Sequence, residues 1–285
     1  RGIKGPIPDN LKFVPEARQG EGGMLAVVTS NGEVVAVQVT YLDAGGKQSI
    51  VQPKRRLYCS RRDWTSAGSF SLTNSDAPEQ VVIAEGVEDV LSLYKAKAGS
   101  TVIASLGVCN IGKAPIPPES EVVVFRDGDE TGTPAEKALN KGIDRLILKG
   151  ASVRVTKTPK GKDANELFKS GGSKALLSLI EQALKAELST RGWFEKCACM
   201  PKLEYELDRK GIARDLEVRV TFLDEQVNIL RKDFELQVET DDAALNLDEI
   251  EPWTEPVNLA EVLNDISEAL AQYVHLNAIW VYACA

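Results

Sequence analysis

Apolar positions along the chain follow two periodicities, and the change between them falls near residue 80. Before it, Met24-Leu25-Ala26-Val27-Val28-Thr29 and Val34-Val35-Ala36-Val37-Gln38-Val39-Thr40-Tyr41 are β-type runs on either side of Asn31-Gly32. That dipeptide tolerates the positive φ of a two-residue turn, so a hairpin is predicted there. Asp43 to Lys47, with Gly45-Gly46, supplies the next turn, and residues 1–20, with Pro6, Pro8 and Pro15 and little periodicity, read as loop. Residues 71–79 are polar and turn-rich and mark a subdomain boundary. Beyond them short apolar runs alternate with amphipathic stretches. Strands are predicted at 81–84, 101–105, 121–125 and 152–156, and helices at 87–98 and 134–149, with a further helix opening after Lys162-Asp163. Strands spaced by helices imply right-handed βαβ crossovers and a mainly parallel sheet.

After about residue 186 the pattern is helical and acidic. Helices are predicted at 203–216 and at 221–234, the second capped by Thr221. The pair has a helix-turn-helix look, but Asp224, Glu225, Asp233 and Glu235 outnumber Arg231 and Lys232 on the second helix, which favours a packing hairpin over a DNA-reading element. Residues 240–251 form an acidic linker, and an amphipathic helix starting at Leu259 becomes apolar all round at its end. His275 within it reads as a packed or partner-facing residue. The chain opens on Arg1-Gly2-Ile3 and stops inside an apolar run ending at Ala285, so both ends look cut from something longer.

Charge sharpens this division. Residues 1–165 carry 22 Lys and Arg against 19 Asp and Glu, net +3, whereas residues 166–285 carry 12 against 23, net −11. Any nucleic acid should therefore meet the first half. There Lys54-Arg55-Arg56-Leu57-Tyr58-Cys59-Ser60-Arg61-Arg62, followed by Trp64 and Phe70, interleaves cations with aromatics. Such a stretch is either a solvated face or a groove that tracks a single strand's backbone. The five cysteines, at 59, 109, 197, 199 and 284, do not form a disulfide framework and suit a reducing cytoplasm. Cys197-Ala198-Cys199 lacks a second Cys or His pair for zinc. No run of about eighteen apolar residues exists, so no membrane span is expected.

Candidate chemistry lies where two of the predicted strands end in acid. Val81-Val82-Ile83-Ala84 runs into Glu85-Gly86, and Val122-Val123-Val124-Phe125 runs through Arg126 into Asp127-Gly128-Asp129. Carboxyl ends of neighbouring parallel strands open onto one crevice, so Glu85, Asp127 and Asp129 should converge. Three carboxylates in one crevice repel unless a cation sits between them, and an all-oxygen set selects Mg²⁺ or Mn²⁺ over zinc. Asp163 and Glu166 have capping-box spacing, which accounts for both acids without chemistry; a place for Asp163 near the metal is the other reading.

In order and in βαβ context, Ile83-Ala84-Glu85-Gly86-Val87-Glu88-Asp89-Val90-Leu91-Ser92, Asp127-Gly128-Asp129 and Gly161-Lys162-Asp163-Ala164-Asn165-Glu166 resemble the Toprim domain of phage and plasmid primases, especially primase–helicases, over roughly residues 79–180. The resemblance implies an α/β, Rossmann-like Toprim fold at 79–185. A small β-rich subdomain with the basic stretch would precede it at 1–78, and an acidic helical region would follow at 186–250. Residues 251–285 would be a linker and the start of a truncated helicase- or ATPase-like domain. It further implies that Asp127 and Asp129 hold Mg²⁺, that Glu85 is a metal ligand or the general acid/base, and that Asp89 and Asp163 are accessory acids. Lys54, Arg55, Arg56, Arg61 and Arg62 would contact the template backbone or the incoming triphosphate.

The implied activity is Mg²⁺-dependent synthesis of short RNA primers from nucleoside triphosphates on single-stranded DNA, with a helicase domain in cis or in trans as partner. No zinc module stands ahead of residue 1 and no G-x-x-x-x-G-K-[ST] loop occurs, so template reading by zinc and ATP-driven unwinding are not assigned to this sequence. Two other readings remain open. One is strand cleavage of nuclease or topoisomerase type at the same acids, although none of Tyr41, Tyr58, Tyr94, Tyr205, Tyr273 and Tyr282 stands in a context that marks an active-site tyrosine. The other is a non-catalytic nucleic-acid-binding module of a replication protein.

Overall fold

The computed structural model describes residues 8–30, 32–59, 68–128 and 132–244, with side chains to 234. The chain divides into two compact units, residues 1–232 and 233–285.

The first unit opens with a four-stranded antiparallel meander, β1 (Leu11–Arg18), β2 (Glu21–Ser30), β3 (Glu33–Leu42) and β4 (Arg55–Cys59), paired in chain order. The hairpin expected around residues 31–32 joins β2 to β3, with Gly32 at φ +82°. β1 occupies a segment that the sequence reads as loop. Its proline is accommodated because β1 is an edge strand whose pairing with β2 is irregular between Val14 and Arg18, where Pro15 lies and no ladder donor is needed.

The second sheet has six strands, β5 (Phe70–Thr73), β6 (Val81–Ala84), β7 (Thr101–Ala104), β8 (Glu121–Val124), β9 (Ser152–Val155) and β10 (Leu184–Lys185), in the order β10-β9-β8-β6-β7-β5. The central four strands are parallel, and β5 and β10 add antiparallel edges. All four residues of β6 are buried, as a strand covered on both faces requires. Side chains alternate between two cores. Val82, Val102 and Val123 pack with helices α1 (Val87–Lys95) and α3 (Ala164–Glu181). Ile83, Ile103 and Val124 pack with α2 (Pro134–Leu148) and a 3₁₀ helix at Val108–Lys113. Both edge strands escape the sequence pattern, β10 because it has two residues and β5 because it runs into the polar, turn-rich stretch at 71–79. β5 lies ahead of residue 79 in the chain yet belongs to this sheet.

The two sheets share packing. Leu11 and Ala26 belong to the same core as Phe70, Leu72 and Val102, and Leu106, held at φ +60° beyond β7, packs on Val28, Val35 and Ala36 of the meander. Asn10 Nδ2 donates to the Ser71 carbonyl at 2.6 Å.

Three helices follow, α4 (Thr190–Cys199), α5 (Lys202–Asp215) and α6 (Val220–Ala244). α4 escapes the sequence pattern, and α6 begins one residue before the predicted cap Thr221. Buried Asp144 on α2 fixes α4: its carboxylate accepts from Ser189 N at 2.8 Å and from Ser189 Oγ at 2.5 Å, and Ser189 caps the helix. A Cβ on Gly192 would stand 2.6 Å from the Asp144 carboxyl carbon, so the glycine permits this approach. Asp224 on α6 accepts from Tyr205 Oη at 2.7 Å and pairs with Arg209, both on α5, so this acid serves helix packing. Cys197 is buried and Cys199 exposed. Among the described residues no helix is long and apolar enough to cross a membrane. α6 runs past the expected end at 234 and takes up residues 240–244, where a linker is expected; Trp64, the rest of the expected linker and the helix expected from Leu259, with His275, lie outside the described residues.

Candidate active site

Chain order creates the crevice. From β6 the chain crosses through α1 to β7 on one side, then jumps back over β6 to β8 on the other. Connections that diverge from adjacent parallel strands leave an opening at their carboxyl ends. Ile83 lies opposite Val124, and Phe125 N donates to the Ile83 carbonyl at 2.8 Å. Glu85 and Asp127 therefore leave neighbouring strand ends, and both line one small cavity of about 30 Å³ with Phe125, Arg126 and Glu136.

The glycines beside these acids have packing reasons. Gly128 N donates to the Lys162 carbonyl at 2.8 Å, and Gly161 N donates to the Gly128 carbonyl at 2.7 Å. A Cβ at 128 would lie 1.9 Å from the Pro159 carbonyl oxygen, so only glycine lets the two loops meet. At the N-cap of α1, a Cβ on Gly86 would come within 2.7 Å of Asp89 Oδ2.

Glu85 also faces a second cavity, of about 210 Å³, lined by Gly86, Leu106 and Gly107 on one side and by Gln38, Arg55, Arg56 and Leu57 on the other. The meander thus brings two guanidinium-bearing residues to the carboxylate crevice. Arg55 reaches buried Glu88 of α1 at 3.5 Å. Arg56 lies over the Tyr58 ring at 5.7 Å, and the Tyr58 and Tyr41 hydroxyls are 2.9 Å apart. Lys54 is exposed, and its carbonyl accepts from Tyr41 N. Arg61, Arg62 and Asp129 lie outside the described residues.

The two accessory acids have different settings. Asp163 caps α3, its carboxylate accepting from Glu166 N at 2.7 Å, which is the geometry its spacing predicts. Asp89 is buried in the first turn of α1 and accepts from Asn165 N at 3.1 Å. Burial, with the Asp163 and Glu88 charges adding to it, pushes the Asp89 carboxyl up to about 7, against the opposing Asn165 hydrogen bond and Arg55 charge. Asn165 Nδ2 donates to Ser92 Oγ at 3.0 Å, which ties α3 to α1.

Sequence reasoning missed Glu88, Asn165, Arg126 and Glu136. The Arg126 guanidinium pairs with Glu136 Oε1 at 3.0 Å, while Glu136 Oε2 accepts from Gly132 N at 2.5 Å. The Gly132 amide, with Arg126 behind it, holds the Glu136 carboxyl below the usual carboxylate range. Thr133-Pro134-Ala135-Glu136 has capping-box spacing legible in the sequence; Thr133 Oγ1 accepts from Glu136 N at 3.2 Å, while the Glu136 carboxylate takes the Gly132 amide in place of the Thr133 one.

Glu85 and Asp127 offer oxygen donors only, a chemistry that fits a hard divalent cation. Among the described residues no three His, Cys, Asp or Glu side chains form a metal-binding group.

Residues 80–174 match the family model of the Toprim domain, and residues 1–62 match a domain of unknown function, DUF7146. The α/β unit with its acid-bearing strand ends is a Toprim domain. A DNA primase of Clostridium acetobutylicum is 26% identical over 156 residues, covering 54% of this chain and 25% of that protein. A DNA primase of Lactococcus lactis is 33% identical over 124 residues, 40% of this chain and 18% of that protein. The chain therefore spans about a quarter or less of the length of these relatives. Among solved structures, a DNA primase domain from Pseudomonas aeruginosa superposes with a TM-score of 0.46 at 15% identity, covering 77% of each chain.

Proposed function

We propose that this chain is the catalytic core of a DNA primase, joining ribonucleotides into short primers on single-stranded DNA in phage or plasmid replication. One observation carries the reading: Glu85 stands between two cavities, one shared with Asp127 and the other lined by Arg55 and Arg56 from a separate sheet. Nucleotidyl transfer needs that pairing of opposites, carboxylates to hold cations at the reacting phosphate and guanidiniums to hold phosphates of template or nucleotide. The similarity to two DNA primases supports it.

In this reading Asp127 and Asp129 hold Mg²⁺, with Glu85 as a further ligand or as the group that takes the proton. Bound there, the cation lowers the pKa of the primer's 3′-hydroxyl and shields the charge of departing pyrophosphate. Arg55 and Arg56, with Lys54, Arg61 and Arg62, bind phosphates and fix the strand or the nucleotide against the carboxylates. Asp89 and Asp163 hold the first turns of α1 and α3 in register behind Glu85. A helicase domain in cis or in trans is the partner that exposes template.

The test is incubation with single-stranded DNA, Mg²⁺ and labelled ribonucleotides. Oligoribonucleotides should form, and should disappear in Asp127→Ala and Glu85→Gln. Metal-dependent nicking without nucleotides would instead show strand cleavage. Salt-sensitive DNA binding with neither activity, unchanged by both substitutions, would leave a binding module.

A further inference from the structure

Arg126 precedes Asp127 in the chain and lines the same small cavity as Glu85, Asp127 and Glu136. A half-buried guanidinium among carboxylates pairs with one of them, since charge-assisted pairing offsets the loss of hydration. Its partner at 3.0 Å is Glu136. That carboxylate is preset for the role. Its second oxygen is taken by the Gly132 amide, its own amide by Thr133 Oγ1, and its position in the first turn of α2 suits a negative charge. The Arg126 backbone is fixed as well, its amide donating to Thr156 Oγ1 of β9's end at 3.1 Å. The chain that carries Asp127 is thus pinned at 126 and 128 on one side and at 132 and 133 on the other.

We propose that Glu136 is a positioning residue that holds the Arg126 guanidinium as its own partner, so that Arg126 does not compete with a divalent cation for the Glu85 and Asp127 carboxylates. This rests on the metal-site reading above. The pair braces the Asp127 turn mechanically and directs a cation within a cation-binding crevice. When Glu136 loses its charge, the guanidinium turns to the remaining carboxylates of the cavity and raises the metal concentration that the site needs.

The test is calorimetric titration of Mn²⁺ into the metal-free 285-residue chain, with thermal melting to follow folding. Glu136→Gln keeps an acceptor for the Gly132 amide and should weaken Mn²⁺ binding about tenfold, the scale of a one-unit effect from a neighbouring guanidinium. Arg126→Gln alone should not weaken it, and the double variant should return to within about threefold of the parent, a difference under one unit. Glu121→Gln, the same charge change at the opposite end of β8, should leave binding unchanged. The proposal is overturned if Glu136→Gln binds like the parent, or if Arg126→Gln and the double variant bind as weakly as Glu136→Gln, which would mark a purely mechanical brace. An unsubstituted chain that binds no Mn²⁺, or an undiminished Asp127→Ala, would overturn the metal site itself and this inference with it.

Discussion

Replacing Asp89 by asparagine removes a charge at a position where the fold disfavours it. The Asp89 carboxyl is pushed up to about 7 from its ordinary value of 3.8, mainly by burial. The folded state therefore binds a proton that the unfolded state has already released between those two values. Stability contributed by this group is highest below the unfolded pKa, falls as pH rises through the window from about 4 to about 7, and is lost above it. One pKa unit corresponds to about 1.4 kcal/mol, so the whole window is worth at most about 4 kcal/mol, and the part between about pH 5.5 and pH 8 about 2 kcal/mol. Asparagine keeps an oxygen for the Asn165 amide and has no charge to desolvate. Urea denaturation of both proteins across that range should show Asp89→Asn gaining on the parent by about 2 kcal/mol from the acid to the alkaline end. A difference between the two proteins that stays constant with pH would refute the account, as would asparagine losing ground at alkaline pH.

Gly128→Ala should cost about 3 kcal/mol or more and abolish primer synthesis, because its Cβ would collide with the Pro159 carbonyl at 1.9 Å; chemical denaturation and the priming assay measure the two effects. Asp144→Ala strips two hydrogen bonds from Ser189 and should destabilise by about 1–3 kcal/mol, with amide exchange accelerating first in α4. Arg56→Gln should weaken single-stranded DNA binding and reduce the slope of log affinity against log salt by about one, as read by fluorescence anisotropy; an unchanged slope would remove Arg56 from the phosphate contacts.

Local pattern carried a large part of this protein. Asn31-Gly32 between two β-branched runs marked the hairpin, and the apolar runs at 81–84 and 121–125 marked the two strands whose ends bear Glu85 and Asp127. These are legible because side-chain period and turn chemistry act over a few residues. β1 was hidden by Pro15, which an edge position tolerates, β10 by having two residues, and β5 by the polar, turn-rich stretch it runs into. Asp163 was legible as a cap because its partner is three residues away. Asp89 was not legible as a buried carboxyl, since its surroundings come from α3 and from Arg55 on another sheet.

The sequence by itself thus determined on which strand ends the acids Glu85 and Asp127 stand. Only the tertiary structure decided which cations face them. The meander brings Arg55 and Arg56 to Glu85, and the turn into α2 gives Arg126 to Glu136. The physical reason is that backbone period and capping are local, whereas the pairing of charges across a crevice depends on how distant segments pack, which no short window of sequence contains.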